Sequence, residues 1–195
     1  MASTVILVLI VLAVVYVIFG YNSLVRLRNE VDNSWRQIDV QLKRRHDLIP
    51  NLVEAVKGYM QFERDTLTQV VEARARAIAA PSTGAARLEA ENQLTAGLGR
   101  LLAVMENYPQ LKSDQNVMQL QEQLTTTENQ LSFARQAYND VVLQLNTRVE
   151  TFPTNIIANN FGFKAAEYFK IAAEDQALPK VDLSLGTSGT PRPQA

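Results

Sequence analysis

The chain has 195 residues, 19 Lys and Arg against 20 Asp and Glu, a net charge of −1, and no cysteine. The balanced charge gives no reason to expect a nucleic-acid partner. The lack of cysteine excludes disulfides, thiolate metal sites, a cysteine nucleophile and a lipidated-cysteine anchor.

Ala, Leu, Gln, Glu and Arg dominate, Gly is sparse and β-branched alternation is absent, so the composition favours helices. The first element is an apolar run, Val5 to Phe19, of fifteen residues, and no charged side chain occurs before Arg26. Thirteen of the fifteen are Val, Ile, Leu or Phe, and their insertion free energies sum to roughly −4 to −8 kcal/mol. Fifteen helical residues cover only about 22 Å of a hydrocarbon core of about 30 Å. Including Thr4 and the uncharged GYNSLV stretch reaches the needed length, with Tyr16 and Tyr21 at headgroup depth. A cleaved signal fits poorly, because no basic segment precedes Val5 and no small-x-small site follows Phe19. A soluble core helix fits poorly too, because the run is apolar on every face. Arg26, Arg28 and Arg36 follow the span, which by the positive-inside rule places the N-terminus outside and the main domain in the cytoplasm; a periplasmic domain is the alternative.

Leu24, Leu27, Val31, Trp35, Ile38, Leu42 and Ile49 form one helical stripe, whose missing step falls on Arg45. No Gly or Pro lies between Ser23 and Ile49, so the membrane helix is expected to run on without a break. Pro50 removes a backbone donor, and Asn51 with Glu54 has capping-box spacing; a kink or restart is expected there. The next stripe, Leu52 to Arg74, fades at a loop around Pro81 to Gly84. A third helix, Ala86 to Asn107, carries Leu88, Leu94, Leu98, Leu101, Leu102 and Met105, and Gly97 and Gly99 are places for close helix approach. Tyr108-Pro109 breaks it, and Ser113 or Asp114 caps the next. The fourth helix has the most regular pattern: Val117, Leu120, Leu124, Thr127, Leu131, Ala134, Tyr138, Val141 and Leu145 follow 3-4 spacing, the mark of left-handed helix packing. The stripe is read as bundle core, with an intermolecular seam as the alternative. Phe152-Pro153 ends it. TNIIANNFGF reads as a short helix closed by Asn160 and Gly162. A last helix is predicted from Lys164 to about Ala177, followed by an extended tail rich in Gly and Pro. The expected division is 1–25 stub and anchor, 26–177 helical bundle, 178–195 tail.

The block YNSLVRLRNEVDNSWRQIDVQLKRRHDLIPNLVEAVKGY at 21–59 resembles the signature of the LemA family of bacterial membrane proteins. A second block resembles the family's C-terminal pattern: Tyr138-Asn139 through Val142, Asn146, Thr147, Phe152-Pro153, Ala158, Phe161-Gly162-Phe163 and Tyr168-Phe169. Pro179 and Val181 fit its closing segment. Ser34, before Trp35, stands where the family pattern suggests Ala, and His46 occupies a variable position. The resemblance implies an all-α fold: a single N-terminal transmembrane helix continuing into an elongated antiparallel four-helix bundle with a short C-terminal helix. It implies no enzyme activity, no cofactor and a bacterial inner-membrane location.

Several side chains stand out against that frame. Arg45 lies on the apolar stripe about 30 Å above the membrane by helical rise, beyond the reach of lipid charge, so a partly buried ion pair or subunit contact is expected, with Glu54 or Glu63 as partner. His46 is the sole histidine and reads as a surface residue, without the partners that a zinc ligand or general base requires. Arg26 and Arg28 are the candidates for lipid contact, together with Tyr16 and Tyr21. Five of fourteen aromatics fall within Phe152–Phe169, read as a lid over the open end of the bundle; a docking patch or a subunit interface are the alternatives. Trp35, Arg45, Pro50, Tyr138, Phe152, Phe161, Phe163 and Phe169 are the candidate structural or subunit-contact residues. No catalytic, cofactor or metal set is recognised. The expected function is a non-enzymatic, self-assembling membrane scaffold that contacts lipid and itself, without nucleic acid or a small-molecule substrate. The alternative is an adaptor that recruits a protein partner through the aromatic segment or the tail. An enzyme would need a polar pocket inside the bundle.

Overall fold

The computed structural model describes residues 1–81 and 84–169; the predicted tail, and residues 170–177 of the predicted last helix, lie outside the described residues. Every regular element among the described residues is a helix. The α-helices are α1 (Ala2–Lys57), α2 (Arg64–Ala79), α3 (Ala85–Met105), α4 (Gln115–Glu150) and α5 (Thr154–Phe161), with a single 3₁₀ turn at Leu111–Ser113 before α4. Asp114 caps α4, its side chain accepting from the Asn116 and Val117 N–H groups, which satisfies two donors that the first helical turn leaves unpaired.

α1 is one helix of 56 residues, about 84 Å long at the α-helical rise. Its apolar window has mean hydropathy 3.0 and is unburied throughout, which separates it from a soluble core helix. Burial begins at Leu24. The restart expected at Pro50 does not occur: the helix runs through it, and the Asn51–Glu54 capping box is not formed. A proline at 50 deprives the His46 carbonyl, four residues back, of its helical donor. Arg74 of α2 supplies one instead, its Nε donating to His46 O at 2.7 Å. The break comes later, at Gly58 to Glu63, where Met60 is fully buried under the α1–α2 turn.

α1 and α4 run antiparallel, with Gln37 to Gln41 beside Gln130 to Ala137 and Ser23 to Glu30 beside Leu143 to Arg148. The α2–α3 hairpin covers only their membrane-distal half. Two apolar cores result. The distal one joins Ile49, Leu52 and Val56 to Val70, Leu94, Leu101, Val117 and Leu124. The proximal one joins Leu24, Ile38 and Leu42 to Leu131, Val142, Leu145, Ile157, Phe163 and Phe169. The α4 stripe is thus buried within a single chain. Each fully buried aliphatic side chain in it contributes about 1.5–3 kcal/mol of burial free energy.

Gly162 closes α5 with φ 73°, and the Gly162 and Phe163 N–H groups both return to Ala158 O, a left-handed cap that glycine adopts without strain. The chain then does not re-enter a helix at Lys164 as the apolar spacing suggests. Residues 163–169 are non-helical and climb back along α4 as a strap. The Asn146 side-chain amide donates to Ala166 O at 3.0 Å and accepts from Ala166 N–H at 2.8 Å. One heptad earlier, Asn139 does the same for Phe169, at 3.1 and 2.8 Å. The Tyr138 hydroxyl donates to Glu167 O at 3.0 Å. These side chains satisfy the backbone groups that a helix would otherwise pair internally, and Phe163 and Phe169 are buried as a result.

Candidate functional site: a buried charge belt above a membrane-side foot

The two cores are separated by a belt of charge. Arg45 on α1 is fully buried, and so is Glu91 on α3. The Arg45 guanidinium hydrogen-bonds the Glu91 carboxylate, Thr95 Oγ1 at 2.9 Å and Glu128 Oε2 at 3.0 Å. His46 Nε2 lies 3.2 Å from Glu91 Oε1. Arg87 Nε lies 3.2 Å from the same oxygen, close enough for charge attraction but off the line of a hydrogen bond. The other end of Arg87 is 3.8 Å from Asp39. With Arg74 on the His46 carbonyl, the belt draws three arginines and three carboxylates from all four long helices, Arg45 and Arg87 being the two that face the carboxylates.

Burial alone pushes the Glu91 carboxyl up, but the His46 hydrogen bond and the Arg45 charge outweigh it and hold the group below the ordinary carboxylate range. Asp39 is displaced the other way: burial raises it more than Arg87 lowers it, and Glu91 adds repulsion. The Tyr138 hydroxyl is raised by burial and by Glu167 and Asp32. The arrangement pins helices together; no group of three or more His, Cys, Asp or Glu residues able to hold a metal occurs among the described residues.

Two expectations are corrected here. The carboxylate partners of Arg45 are Glu91 and Glu128, not Glu54, which is paired on the surface with Lys57, nor Glu63, which accepts from the Tyr108 hydroxyl. His46 is not a surface residue but 6% exposed. Both errors have one cause: the partners sit 46 and 83 positions away, beyond the reach of local spacing. A signal was present all the same. Glu91 fills the gap between Leu88 and Leu94 in the α3 stripe as Arg45 fills the gap between Leu42 and Ile49 in α1. Two opposite charges interrupting two apolar stripes call for each other.

The second constellation lies at the lower end of the bundle. Ile157 of α5 packs on Gly20, where a Cβ would stand 2.5 Å from Ile157 Cδ1. This is the close helix approach; at Gly97 the nearest atom would be at an ordinary 3.7 Å, and at Gly99 nothing lies within 4 Å. Tyr21 meets Phe161 and Phe163 edge-on, with ring centroids at 5.0 and 5.7 Å. Arg28 lies over the Phe163 ring at 5.5 Å, while Arg26 and Tyr16 are exposed. Trp35 meets Tyr138 at 5.3 Å and Phe169 at 6.1 Å. The Arg135 guanidinium lies 4.6 Å from the centre of the Phe169 ring. Of the candidate contact residues, Arg45, Tyr138, Phe163 and Phe169 are buried, Trp35 is half-buried, and Pro50, Phe152 and Phe161 are exposed. An open hollow of about 480 Å³ lies between α1, Leu88 and the strap, lined in part by Asp32, Trp35, Arg36 and Asp39.

The sequence is similar to those of known proteins. The family model for the LemA family matches residues 34–183. Protein LemA of Metamycoplasma hominis is 24% identical over 163 residues, covering 80% of this chain and 74% of the relative. Magnetosome protein MamQ 2 of Paramagnetospirillum magneticum is 26% identical over 175 residues, and magnetosome protein MamQ of Magnetospirillum gryphiswaldense is 22% identical over 174. The matches cover 77% and 76% of this chain but only 64% of either magnetosome protein, so the chain spans less than two thirds of their length. The apolar anchor-length helix, the bundle built on it and the match over residues 34–183 converge on one conclusion: this chain belongs to the LemA family.

Proposed function

We propose that the protein is a non-enzymatic, single-pass membrane scaffold that self-assembles just above the bilayer of the bacterial inner membrane. The observation that carries this reading is the continuity of α1 from Ala2 to Lys57. A domain built on an unbroken extension of its own anchor holds a fixed direction against the membrane, whereas a domain on a flexible linker tumbles. Neighbouring copies then meet side by side with the same faces at the same height. Because the α4 stripe is buried within the chain, the contact surface lies elsewhere. The α1–α4 face that the hairpin leaves uncovered exposes Val40, Phe133 and Leu143 at 62%, 72% and 54%, and large exposed apolar side chains on one face mark association surfaces. The full chain in mild detergent and in lipid nanodiscs is expected to elute as an oligomer by light scattering, and Phe133→Glu is expected to disperse it without loss of helicity. A monodisperse monomer at concentrations well above cellular levels overturns the scaffold reading.

The adaptor reading rests on the aromatic segment or the tail. Phe163 and Phe169 are buried against the chain's own α4, which leaves the exposed Phe152 and Phe161, or the tail, as the recruiting element. Proximity labelling that returned only the protein itself would remove this alternative.

A further inference from the structure

The foot of the bundle has a composition unlike the rest of the surface. No charged side chain occurs in residues 1–25, and none occurs in residues 151–163. The fold brings these two stretches to the same height, with Ile157 on Gly20 and Phe161 on Tyr21. The flanking charges share a level as well: Arg26 and Arg28 on α1, Arg148 and Glu150 at the end of α4, and Lys164 at the start of the strap. Below that level Phe19, Phe152, Ile156 and Phe161 are 72%, 74%, 53% and 56% exposed. An apolar cluster of this kind on a water-facing surface marks a surface with a partner.

We propose that α5 and the Phe152-Pro153 turn are seated in the near leaflet of the bilayer, so that the protein holds the membrane by two elements instead of one. The proposal rests on the reading of α1 as the membrane anchor. The occupant is lipid because the patch is continuous with the lipid-facing surface of α1 itself. Gly20 is the joint, since its missing side chain lets α5 lie flush against the anchor where it leaves the hydrocarbon. The depth is set by chemistry. Asn155, Asn159 and Asn160 share α5 with the apolar residues, and amide side chains are at home among headgroups, not in the acyl core. Phe152, Ile156 and Phe161 supply the apolar contact of an interfacial helix. The strap, held by Asn139 and Asn146, fixes the far end of α5 so that it cannot swing away from the membrane. The near leaflet thus accommodates α1 and α5, and the far leaflet α1 alone.

The chain has no cysteine, so single-cysteine labelling needs no prior substitution. The test uses the full chain in phosphatidylcholine vesicles, carrying an environment-sensitive fluorophore at Phe152→Cys, Ile156→Cys, Leu12→Cys or Phe62→Cys, with nitroxide quenchers at shallow or deep acyl positions. For an element about 5–10 Å into the interface, labels at 152 and 156 are quenched roughly twofold more by the shallow quencher than by the deep one. The label at 12 reports the deep quencher, and that at 62, on the distal turn, reports neither. If 152 and 156 behave like 62 while 12 is quenched, the anchor reading stands and the proposal falls. If 12 is also unquenched, both fall together. Blue-shifted labels at 152 and 156 that no lipid quencher reaches mark a protein cover, such as a second copy, and also overturn it.

Discussion

Replacing Arg45 with Met keeps the volume of the side chain and removes its charge. Arg45 and Glu91 are both fully buried, so the substitution leaves a buried carboxylate without its principal partner. Breaking a buried pair from one side costs about 3–5 kcal/mol. Two features of the belt place Arg45→Met at the lower end. Arg87 and His46 still approach Glu91 at 3.2 Å, and the second partner, Glu128, has a side chain 39% exposed that re-solvates readily. A loss of about 3 kcal/mol is expected, and at about 2–4 °C per kcal/mol for a chain of this size the melting temperature falls by about 6–12 °C. The sharper test is the pair. Arg45→Met with Glu91→Leu removes both buried charges, so the desolvation cost disappears with the attraction, and most of the lost stability returns. The assay is thermal and urea unfolding of the full chain in mild detergent, followed by far-ultraviolet circular dichroism. A single-variant loss below about 1 kcal/mol, the range of a surface pair, refutes the argument. So does a double variant no more stable than the single one.

Other expectations follow from named contacts. Arg74→Met is expected to cost about 1.5–3 kcal/mol, the worth of a charged hydrogen bond, and markedly less in a Pro50→Ala background, where the residue 50 N–H serves the His46 carbonyl; a double-mutant cycle that shows no coupling would remove that account. Glu91 is held below its ordinary value near 4.5, so its contribution is present above about pH 4.5 and is lost as pH falls through the lowered value; Glu91→Gln should flatten that acid limb in urea titrations. Asp39 is raised above 3.8 and has the opposite sign, gaining stability as it protonates, so Asp39→Asn should steepen the same limb. Asn139→Leu and Asn146→Leu are expected to release the strap, raising amide exchange at Ala166 and Phe169 by about 10–100-fold and exposing the Lys164–Ala165 bond to trypsin; unchanged exchange would show that the side-chain amides do not hold it. A single cysteine at Ser113 in intact cells should resist a membrane-impermeant maleimide if the domain is cytoplasmic, and rapid labelling would place it in the periplasm.

Periodicity located the helices because each long helix buries one face, and a 3-4 stripe records this directly. The third helix and the α4 stripe were legible for that reason; the uncharged run up to Val25 was legible because it is apolar on every face, and the Asn160–Gly162 stop because glycine takes a left-handed cap without strain. Pro50 misled because the effect of a proline depends on whether a distant donor serves the stranded carbonyl, and Arg74 lies in a different helix. The strap misled in the converse way: residues 164–169 have the spacing of an amphipathic helix, but Asn139 and Asn146 offer their backbone a competing set of partners. The belt was half legible. Arg45 stood out as a charge on an apolar stripe, but its counter-charge lay on a helix whose alignment with α1 is set only by the folded topology.

That alignment suggests what the belt adds beyond stability. A regular heptad stripe does not by itself fix its register, since a slip of seven residues, about 10 Å along the helix, brings leucines back onto leucines. A single polar residue in such a seam can specify register at a cost in stability. Arg45 meets Glu128 on α4 and Glu91 on α3, and a one-heptad slip of α4 would set Gln121 or Arg135 in place of Glu128 opposite the guanidinium. Register in turn fixes how far α4 descends, and therefore whether Ile157 reaches Gly20 and the uncharged 151–163 stretch reaches the level where charge disappears from α1. The hypothesis is that buried charge in the middle of the bundle sets the depth of its foot. It predicts that an Arg45→Met, Glu91→Leu, Glu128→Leu variant folds with near-normal stability but holds register loosely. Disulfide trapping between cysteines at 40 and 133 would then fall, with slipped pairs such as 40 and 126 appearing. Trapping confined to the native pair in that variant would show that packing alone fixes the register.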